Sequence, residues 1–188
     1  MQLDEAYQHV IRSSTLDVGK FYFGGQSVGL GKGKIYTAVR FPIYHEEGAV
    51  FRTVKGLVYV MTHECDLDEE NDRILNTDVL ICPIIDFSHL VTSLEEVLDR
   101  DRLISFLSNL GARRIFRAVY LPPYPPVMSY GGVMFLNQIS NTDVSCFNLD
   151  GATPVAMLTA PGLTIVEQVV ENHLLRPKAD RIHFGSVE

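Results

Sequence analysis

The order of extended and helical patterns along the chain restricts its fold more than any other feature. Short segments rich in β-branched and aromatic residues predict strands, at residues 34–41, 49–54, 56–62, 78–85, 114–121, 133–139, 144–149 and 153–158. Apolar stripes at helical spacing predict two long helices at residues 93–110 and 161–175, and a short helix at residues 4–12. A doubly wound sheet needs strands that alternate with helices, and this order does not provide them. We therefore expect an α+β fold, a mainly antiparallel small β-barrel or curved sheet with two packed helices.

Two prolines are expected to interrupt strands, because proline donates no backbone hydrogen bond to a ladder. Pro42 follows the first predicted strand and is expected to end it. Pro83 lies inside the segment 78–85, where it predicts a bulge or a position at the edge of the sheet.

Local signals also mark the boundaries of a helix and a hairpin. Ser93 followed by Glu96 forms a capping box, which predicts that the first long helix starts at Ser93. Gly111 fits the left-handed position that follows the last turn of a helix. Asp150-Gly151 is typical of a tight turn and predicts a hairpin between the strands that flank it.

Composition indicates a folded domain. Of the 188 residues, 46% are hydrophobic and 21% are charged, which is typical of globular proteins and excludes wholesale disorder. We predict a single domain over residues 1–188, with a helical insertion at 93–111 and a loose tail from about residue 177.

Targeting and redox signals indicate the cytoplasm. No apolar run approaches the ~18–20 residues that span a bilayer, and the N-terminus lacks the basic and apolar regions of a secretory signal. Three cysteines are an odd and small number for a disulfide framework, so a reducing compartment is the simplest interpretation. We predict a cytoplasmic protein that does not associate with a membrane.

Charge is distributed unevenly. The net charge of −7 disfavours a protein that coats duplex DNA. Residues 20–55 contain six basic and two acidic side chains, whereas residues 64–101 contain twelve acidic and two basic ones. Such a division is typical of a surface that docks a charged partner. The basic segment also contains aromatic residues that either stack nucleic-acid bases or belong to the core, namely Phe21, Tyr22, Phe23, Tyr36 and Phe41.

The first candidate site is the segment 62–66 (THECD), directly after a predicted central strand. In extended backbone His63 and Cys65 share a face, and a histidine beside a thiol can generate a nucleophilic thiolate. Glu64 or Asp66 could orient the imidazole. Cys65, His63 and Asp66 are therefore the candidate catalytic residues, and a buried cysteine beside a strand-capping histidine is the alternative interpretation.

The second candidate is a metal site. His63, Cys65, Cys82 and His89 are ligand types that suit zinc, and the strands that carry the two cysteines are expected to be neighbours. Their spacing is not that of a zinc finger. Zinc is therefore a candidate cofactor, and the absence of any cofactor is the main expectation.

The third candidate is the glycine-rich segment 24–34 (GGQSVGLGKGK). Glycine-rich loops can cradle phosphates, but the spacing of a Walker A motif fails here, and a predicted strand rather than a helix follows. Lys32 and Lys34, together with Arg40 on that strand, are the candidate ligand-binding cations. The alternative is a loop that only connects strands.

From residue 56 onwards, the order of elements resembles that of a known family. A strand, a polar break and a strand ending in Pro-Ile-Ile are followed by a Leu121-Pro122 step, a strand at 133–139 and a terminal helix. This succession resembles the SH3-like small barrels of the PemK/MazF toxin type, and uncharacterised bacterial or phage proteins with a Cys-Asp pair after a central strand. The resemblance implies a barrel-like fold and, for the toxins, ribonuclease activity. Lys55-Gly56 stands where the toxins have an Arg-Pro step, so no catalytic residue is carried over.

Because every catalytic motif is incomplete, the main interpretation is a binding or interaction module of a bacterial or phage multi-protein system, with a protein partner and an unknown ligand. One alternative is a Cys/His-dependent hydrolase that uses Cys65 and His63. The other is an RNA-binding or RNA-cutting barrel that uses the basic N-terminal segment. A second copy of the chain is also a candidate partner, and nucleic acid is not the favoured one.

Overall fold

The computed structural model describes residues 1–24, 29–45, 50–67, 77–148 and 151–175. Within these ranges the strands are β1 Lys34–His45, β2 Val50–Val60, β3 Asp78–Asp86, β4 Ala118–Leu121, β5 Gly132–Phe135, β6 Ser140–Asp143 and β7 Thr153–Met157. The α-helices are α1 Leu3–Ser13, α2 Glu64–Leu67, α3 Phe87–Glu95, α4 Arg100–Gly111 and α5 Ala160–Leu175. The predicted loose tail from residue 177 lies outside the described residues.

The strands form one antiparallel sheet, which confirms the predicted α+β class. The strand order is β4-β5-β3-β2-β1-β7, and β6 pairs with β3. The sheet curves so far that β6 also reaches β1, where Thr142 Oγ1 donates to the Arg40 carbonyl at 2.6 Å and Ser140 Oγ to the Pro42 carbonyl at 3.3 Å. The sheet is nevertheless not closed, so of the two predicted forms the structure has the curved sheet.

Helices cover the sheet on both faces. Strand β4 shows the division, because Val119 packs in the cluster that includes α5, whereas Tyr120 packs in the cluster that includes α1, α3 and α4. A third cluster lies among β1, β2, β3 and the turn after β6, around Val58 and Phe147. Within the described ranges, no helix combines the length and the apolar character needed to cross a bilayer.

The hairpin of β1 and β2 is longer than predicted. Pro42 does not end β1, which continues to His45 and pairs with β2 over its whole second half. Proline is tolerated there because β7 pairs with β1 only near its start, at Lys34 to Thr37, so the outer edge at Pro42 needs no ladder hydrogen bond. The two strands predicted at 49–54 and 56–62 are one strand, β2.

Pro83 lies in a central strand, which corrects its predicted place at an edge or a bulge. One side of β3 pairs with β2, with Pro83 opposite Val58. On the other side β6 pairs with residues 78–81 and β5 with residues 84–86. Pro83 falls in the gap between these two partners, where the missing N–H group interrupts neither ladder.

The predicted helix at 93–110 is two helices, and the predicted start at Ser93 is wrong. Asp86 caps α3 by accepting a hydrogen bond from the Ser88 amide at 2.9 Å. Asp99 caps α4 in the same way through the Arg102 amide, also at 2.9 Å. Ser93 lies inside α3, so the capping-box pattern was coincidental, and the aspartates mark the helix starts.

Removing the cap of α4 is expected to destabilise the protein. Asp99→Ala should lower the free energy of unfolding by about 1 kcal/mol, because it leaves the first-turn amides of α4 without an acceptor. Ser93→Ala is the matched control and should change it by less than about 0.5 kcal/mol. Urea denaturation measures both, and an equal loss for the two variants would contradict the observed helix starts.

Gly111 was predicted to occupy the left-handed position after the helix, and this prediction is wrong. Gly111 is instead the last residue of α4. The positive φ occurs two residues later, at Arg113, where φ is 56°. What requires glycine is contact with α1, because a Cβ at Gly111 would lie 2.1 Å from the Val10 carbonyl oxygen.

The prediction of a strand at 144–149 is also wrong for residues 144–148, which are the described part of this range. Residues Val144–Phe147 form a 3₁₀ turn, capped by Asp143, whose carboxylate accepts a hydrogen bond from the Ser145 amide at 2.9 Å. β7 pairs with β1, and not with the segment 144–147 that was predicted to be its hairpin partner. The predicted hairpin therefore does not form, and Asp150 itself lies outside the described residues.

Candidate functional site

Three parts of the chain that are distant in sequence meet at the end of β2. The glycine-rich segment brings Lys32 and Lys34, the segment after β2 brings His63 and Glu64, and α5 brings Glu167. The structure thus brings together two features that the sequence indicated separately, the lysines before β1 and the segment at 62–66.

Lys34 forms an ion pair and a hydrogen bond within the protein. Its side chain is only 4% exposed, and its Nζ lies 2.9 Å from Glu64 Oε1. The same ammonium group donates to the Gly29 carbonyl at 3.2 Å. Gly31 leaves room for Glu64, since a Cβ there would lie 2.0 Å from Glu64 Cγ. The anion held by this loop is therefore a carboxylate of the protein itself, and Lys34 is a structural cation.

Lys32 joins the segment after β2 to α5. Its Nζ forms an ion pair with Glu167 Oε1 and donates to His63 Nε2 at 3.2 Å. An ammonium group can only donate, so Nε2 is the unprotonated nitrogen of the ring in this arrangement. The side chain of Lys32 is about three-quarters covered, and it lines the edge of a pocket.

The pocket lies between the end of β2 and α5 and has a volume of about 460 Å³. Its walls are mainly aliphatic, formed by Met61, Leu80, Val166, Val170 and Leu174. Leu80 and Leu174 are exposed. An apolar concavity of this size with a few polar groups is the usual form of a small-molecule site.

Tyr59 is the polar group beneath this pocket. The residue is 2% exposed, and among the described residues its hydroxyl has no hydrogen-bond partner. A buried hydroxyl without a hydrogen-bond partner lowers the stability of the folded protein by about 1–3 kcal/mol. Burial raises the pKa of Tyr59, and the nearby Glu167 carboxylate and Cys82 add to the rise. The hydroxyl is therefore protonated at physiological pH and can both donate and accept.

The charges around the pocket do not favour an anion. Lys32 is paired with Glu167. Glu171 lies one helical turn farther along α5 and also lines the pocket. The charged side chains that line the pocket thus comprise two carboxylates and one ammonium group.

The three candidate catalytic residues lie within one turn. Cys65 is exposed on α2, and the Asp66 amide donates to the His63 carbonyl at 3.1 Å. His63 Nε2 already accepts from Lys32, so it would have to release Lys32 before it could take a proton from Cys65 through that nitrogen. The hydrolase alternative stays a prediction.

The four candidate metal ligands are not gathered into one site. Cys82 is fully buried in β3 and donates to the Phe135 carbonyl at 3.6 Å. Burial raises the pKa of its thiol to about 12, which opposes the thiolate form that binds zinc. His89 is exposed on α3. Across the described parts of the chain, no three His, Cys, Asp or Glu residues are grouped so that they could hold a metal ion.

Arg40 lies apart from Lys32 and Lys34. It is exposed on the distal part of the β1–β2 hairpin, opposite Lys55. Three of the aromatic residues considered for base stacking, Phe21, Tyr36 and Phe41, are buried in the core. The exposed rings of the hairpin are instead Tyr44 and Phe51.

Sequence reasoning missed Tyr59 and Glu167. Tyr59 stands in an apolar strand segment, where a tyrosine is expected to belong to the core. Glu167 is a charged residue beside the apolar stripe of α5, which is ordinary for a helix at a surface. Neither residue carries a sequence signal of a site, because both acquire their role from the contact between α5 and β2.

Comparisons with known proteins do not assign the chain to a family. No family model matches it, and no curated protein is significantly similar to it. The resemblance to barrels of the PemK/MazF type stays a prediction.

Proposed function

We propose that the protein is a binding module whose ligand occupies the pocket between β2 and α5. The buried hydroxyl of Tyr59, which lacks a partner among the described residues, carries this proposal. A ligand that hydrogen-bonds to this group would offset a cost of about 1–3 kcal/mol. The same ligand would cover the exposed aliphatic side chains of Leu80 and Leu174.

The residues that line the pocket indicate which kind of ligand would bind there. An aliphatic body suits Met61, Val166 and Val170, and an uncharged hydroxyl, carbonyl or amide group suits the hydroxyl of Tyr59. A carboxylate or phosphate is disfavoured, because Glu167 already pairs with Lys32 and Glu171 adds a second negative charge.

Binding of a neutral apolar fluorophore tests the pocket. N-phenyl-1-naphthylamine should bind with about one site per chain and gain fluorescence as it leaves water. Val170→Trp fills the pocket and should weaken this binding by about tenfold or more. Leu174→Glu places a charge at the exposed lip, and should weaken binding without disturbing the core.

Val97→Trp is the matched control, because Val97 is exposed and does not line the pocket. This variant should bind the fluorophore as the parent protein does. Thermal denaturation of each variant separates a filled pocket from a lost fold. Failure of the parent protein to saturate, or equal binding by Leu174→Glu and the parent, would contradict the proposal.

We propose further that this module works in the cytoplasm within a bacterial or phage multi-protein system, with a protein partner. An odd, small number of cysteines supports a reducing compartment. Apolar side chains that are exposed together at the end of the β1–β2 hairpin, Ile43, Tyr44, Val50 and Phe51, support a partner. Affinity purification with the full chain tests this, and recovery of no stoichiometric protein would contradict it.

A further inference from the structure

The distal half of the β1–β2 hairpin extends beyond the rest of the sheet. We call residues 39–45 and 50–56 the β-arm. Pairing of β2 with β3 begins only at Leu57, and β3 ends at Asp86, so no described strand lies along the outer edge of β2 in the β-arm. The residues at this edge, 51–53, are exposed. Solvent therefore reaches the outer edge of β2.

Hydrogen bonds on either side show where the backbone groups of this edge point. In an antiparallel pair, alternate residues turn their N–H and C=O groups to the same side of the strand. The Pro42 carbonyl turns away from β2, because it accepts a hydrogen bond from Ser140 Oγ at 3.3 Å. Thr53 is opposite Pro42, so its N–H and C=O groups turn away from β1. Farther along β2, in the same alternation, the Met61 amide donates to the Leu80 carbonyl at 2.9 Å.

The outer edge of β2 thus has the backbone pattern of an unfilled strand position. By the same alternation Phe51 also turns its N–H and C=O groups outward. Phe51 and Thr53 are two residues apart, so their backbone groups repeat at about 7 Å, the spacing of a β-ladder. An extended peptide chain presents donors and acceptors at this spacing, and a helix or a small molecule does not. The edge therefore favours an added strand.

Apolar side chains border this position on both faces of the β-arm. On one face the rings of Tyr44 and Phe51 are 57% and 75% exposed. On the other face Ile43 is exposed, and Val54 lines a groove of about 730 Å³ that continues to Pro83 in β3. Side chains of an added strand alternate between the two faces of a sheet. A ligand on one face would cover only one of these apolar sets, whereas a strand beside β2 covers both.

Arg52 indicates the charge of the added strand. It is opposite Ile43, on the face of the β-arm that includes Val54. Its side chain is exposed, and among the described residues its guanidinium group has no hydrogen-bond or ion-pair partner. A carboxylate directly across from Arg52 on an added strand would form a cross-strand ion pair. An acidic residue between apolar ones therefore complements this edge.

We propose that the outer edge of β2 in the β-arm binds an extended segment of a partner protein, which adds a strand along residues 51–54. This segment carries an acidic residue opposite Arg52 and apolar residues beside it. Backbone pairing with Phe51 and Thr53 supplies affinity, and the alternate side chains supply specificity. The inference rests on the proposed protein partner and is independent of the pocket between β2 and α5.

A fluorescein-labelled peptide, Ser-Ile-Val-Thr-Glu-Val-Ser, tests the proposal by fluorescence anisotropy. Antiparallel to β2, its central Val-Thr-Glu-Val places Glu opposite Arg52. The full chain should bind it with a Kd below about 1 mM. With free peptide at about ten times the Kd, hydrogen exchange of the Phe51 and Thr53 amides should slow by about tenfold. The Arg52 amide, which the alternation directs towards β1, is the internal control and should change much less.

Thr53→Pro removes one N–H group from the edge. Because that group does not bond to β1, the hairpin should still fold, and peptide binding should weaken by about tenfold or more. Thr53→Val is the matched control, since it keeps the N–H group and a β-branched side chain, and it should bind within about twofold of the parent protein. Thermal denaturation checks the fold of both variants.

Arg52→Glu tests the charge of the added strand and does not depend on how well Thr53→Pro folds. It should weaken binding of the first peptide and strengthen binding of the same peptide with Lys in place of Glu. No saturation of the parent protein by about 1 mM peptide would overturn the proposal. Equal binding of the first peptide by Arg52→Glu and the parent, or by folded Thr53→Pro and Thr53→Val, would do the same.

Affinity purification with the parent protein and Thr53→Pro separates this inference from the proposed function. A stoichiometric partner that both proteins retain equally would leave the protein partner in place and refute docking at this edge. Loss of the partner from Thr53→Pro alone, with unchanged binding of N-phenyl-1-naphthylamine, is the expected result. Concentration-dependent dimers of the parent protein that Thr53→Pro abolishes would refute the proposal in favour of a second copy of the chain.

Discussion

Gly111→Ala is expected to lower the free energy of unfolding by about 2 kcal/mol. The added Cβ would lie 2.1 Å from the Val10 carbonyl oxygen, so α1 would have to move away from α4. Overpacking of a buried contact costs about 1–3 kcal/mol. This cost outweighs the gain of up to about 1 kcal/mol that alanine brings over glycine within a helix. Urea denaturation measures the difference.

The sign of this effect separates two explanations of Gly111. If glycine were needed only because a helix ends there, alanine at a residue that is still helical would be neutral or stabilising. Ser105→Ala, at an exposed position of the same helix, is the control and should stay within about 0.5 kcal/mol of the parent protein. A Gly111→Ala variant as stable as that control would refute the close contact of α1 and α4.

Tyr59→Phe is expected to raise the stability of the ligand-free protein by about 1 kcal/mol or more. The substitution removes a buried hydroxyl that lacks a partner among the described residues, and it keeps the ring, which belongs to the same core cluster as Ile35 and Ile84. Most substitutions of core residues destabilise a protein, so a gain at this position has diagnostic value. Thermal and urea denaturation both report it.

Tyr120→Phe provides the matched comparison. Tyr120 is 3% exposed, and its hydroxyl donates to the Tyr130 carbonyl at 2.8 Å. The same change should therefore cost about 1 kcal/mol at Tyr120. If Tyr59→Phe were as destabilising as Tyr120→Phe, the hydroxyl of Tyr59 would have a partner, and the strongest support for the ligand pocket would be lost.

Patterns that depend on neighbours along the chain were predicted well. The stripe at residues 161–175 corresponds to α5, and that at 4–12 corresponds to α1. The period of 3.6 residues in these segments shows which side faces the core whatever it packs against. The strands at 34–41 and 56–62 were located from residue type, although the first ends later, at His45, and the second starts earlier, at Val50.

Patterns whose meaning depends on a partner in space were misjudged. Pro42 and Pro83 were expected to end or displace strands, and both lie inside strands because the neighbouring strand is absent at that point. Ser93 fits a capping box, but Asp86 and Asp99 cap the helices. A sequence shows that a residue can cap a helix or break a strand, not whether the tertiary structure needs it to do so.

The candidate site was likewise predicted only in part from the sequence. The sequence pointed to His63 and Lys32 through the types of residue around them, but not to their contact at 3.2 Å. It made Lys34 a candidate ligand-binding cation, but it did not indicate that the Lys34 ammonium group pairs with Glu64.

By itself the sequence determined the α+β class, the helices α1 and α5 and the absence of a complete catalytic motif, because these follow from periodicity and residue type. Only the tertiary structure decided that Tyr59 lies buried beneath a pocket and that Lys32 joins His63 to Glu167 at the edge of this pocket. The physical reason is that burial, strand register and charge pairing arise between residues far apart in the chain, and no local pattern encodes them.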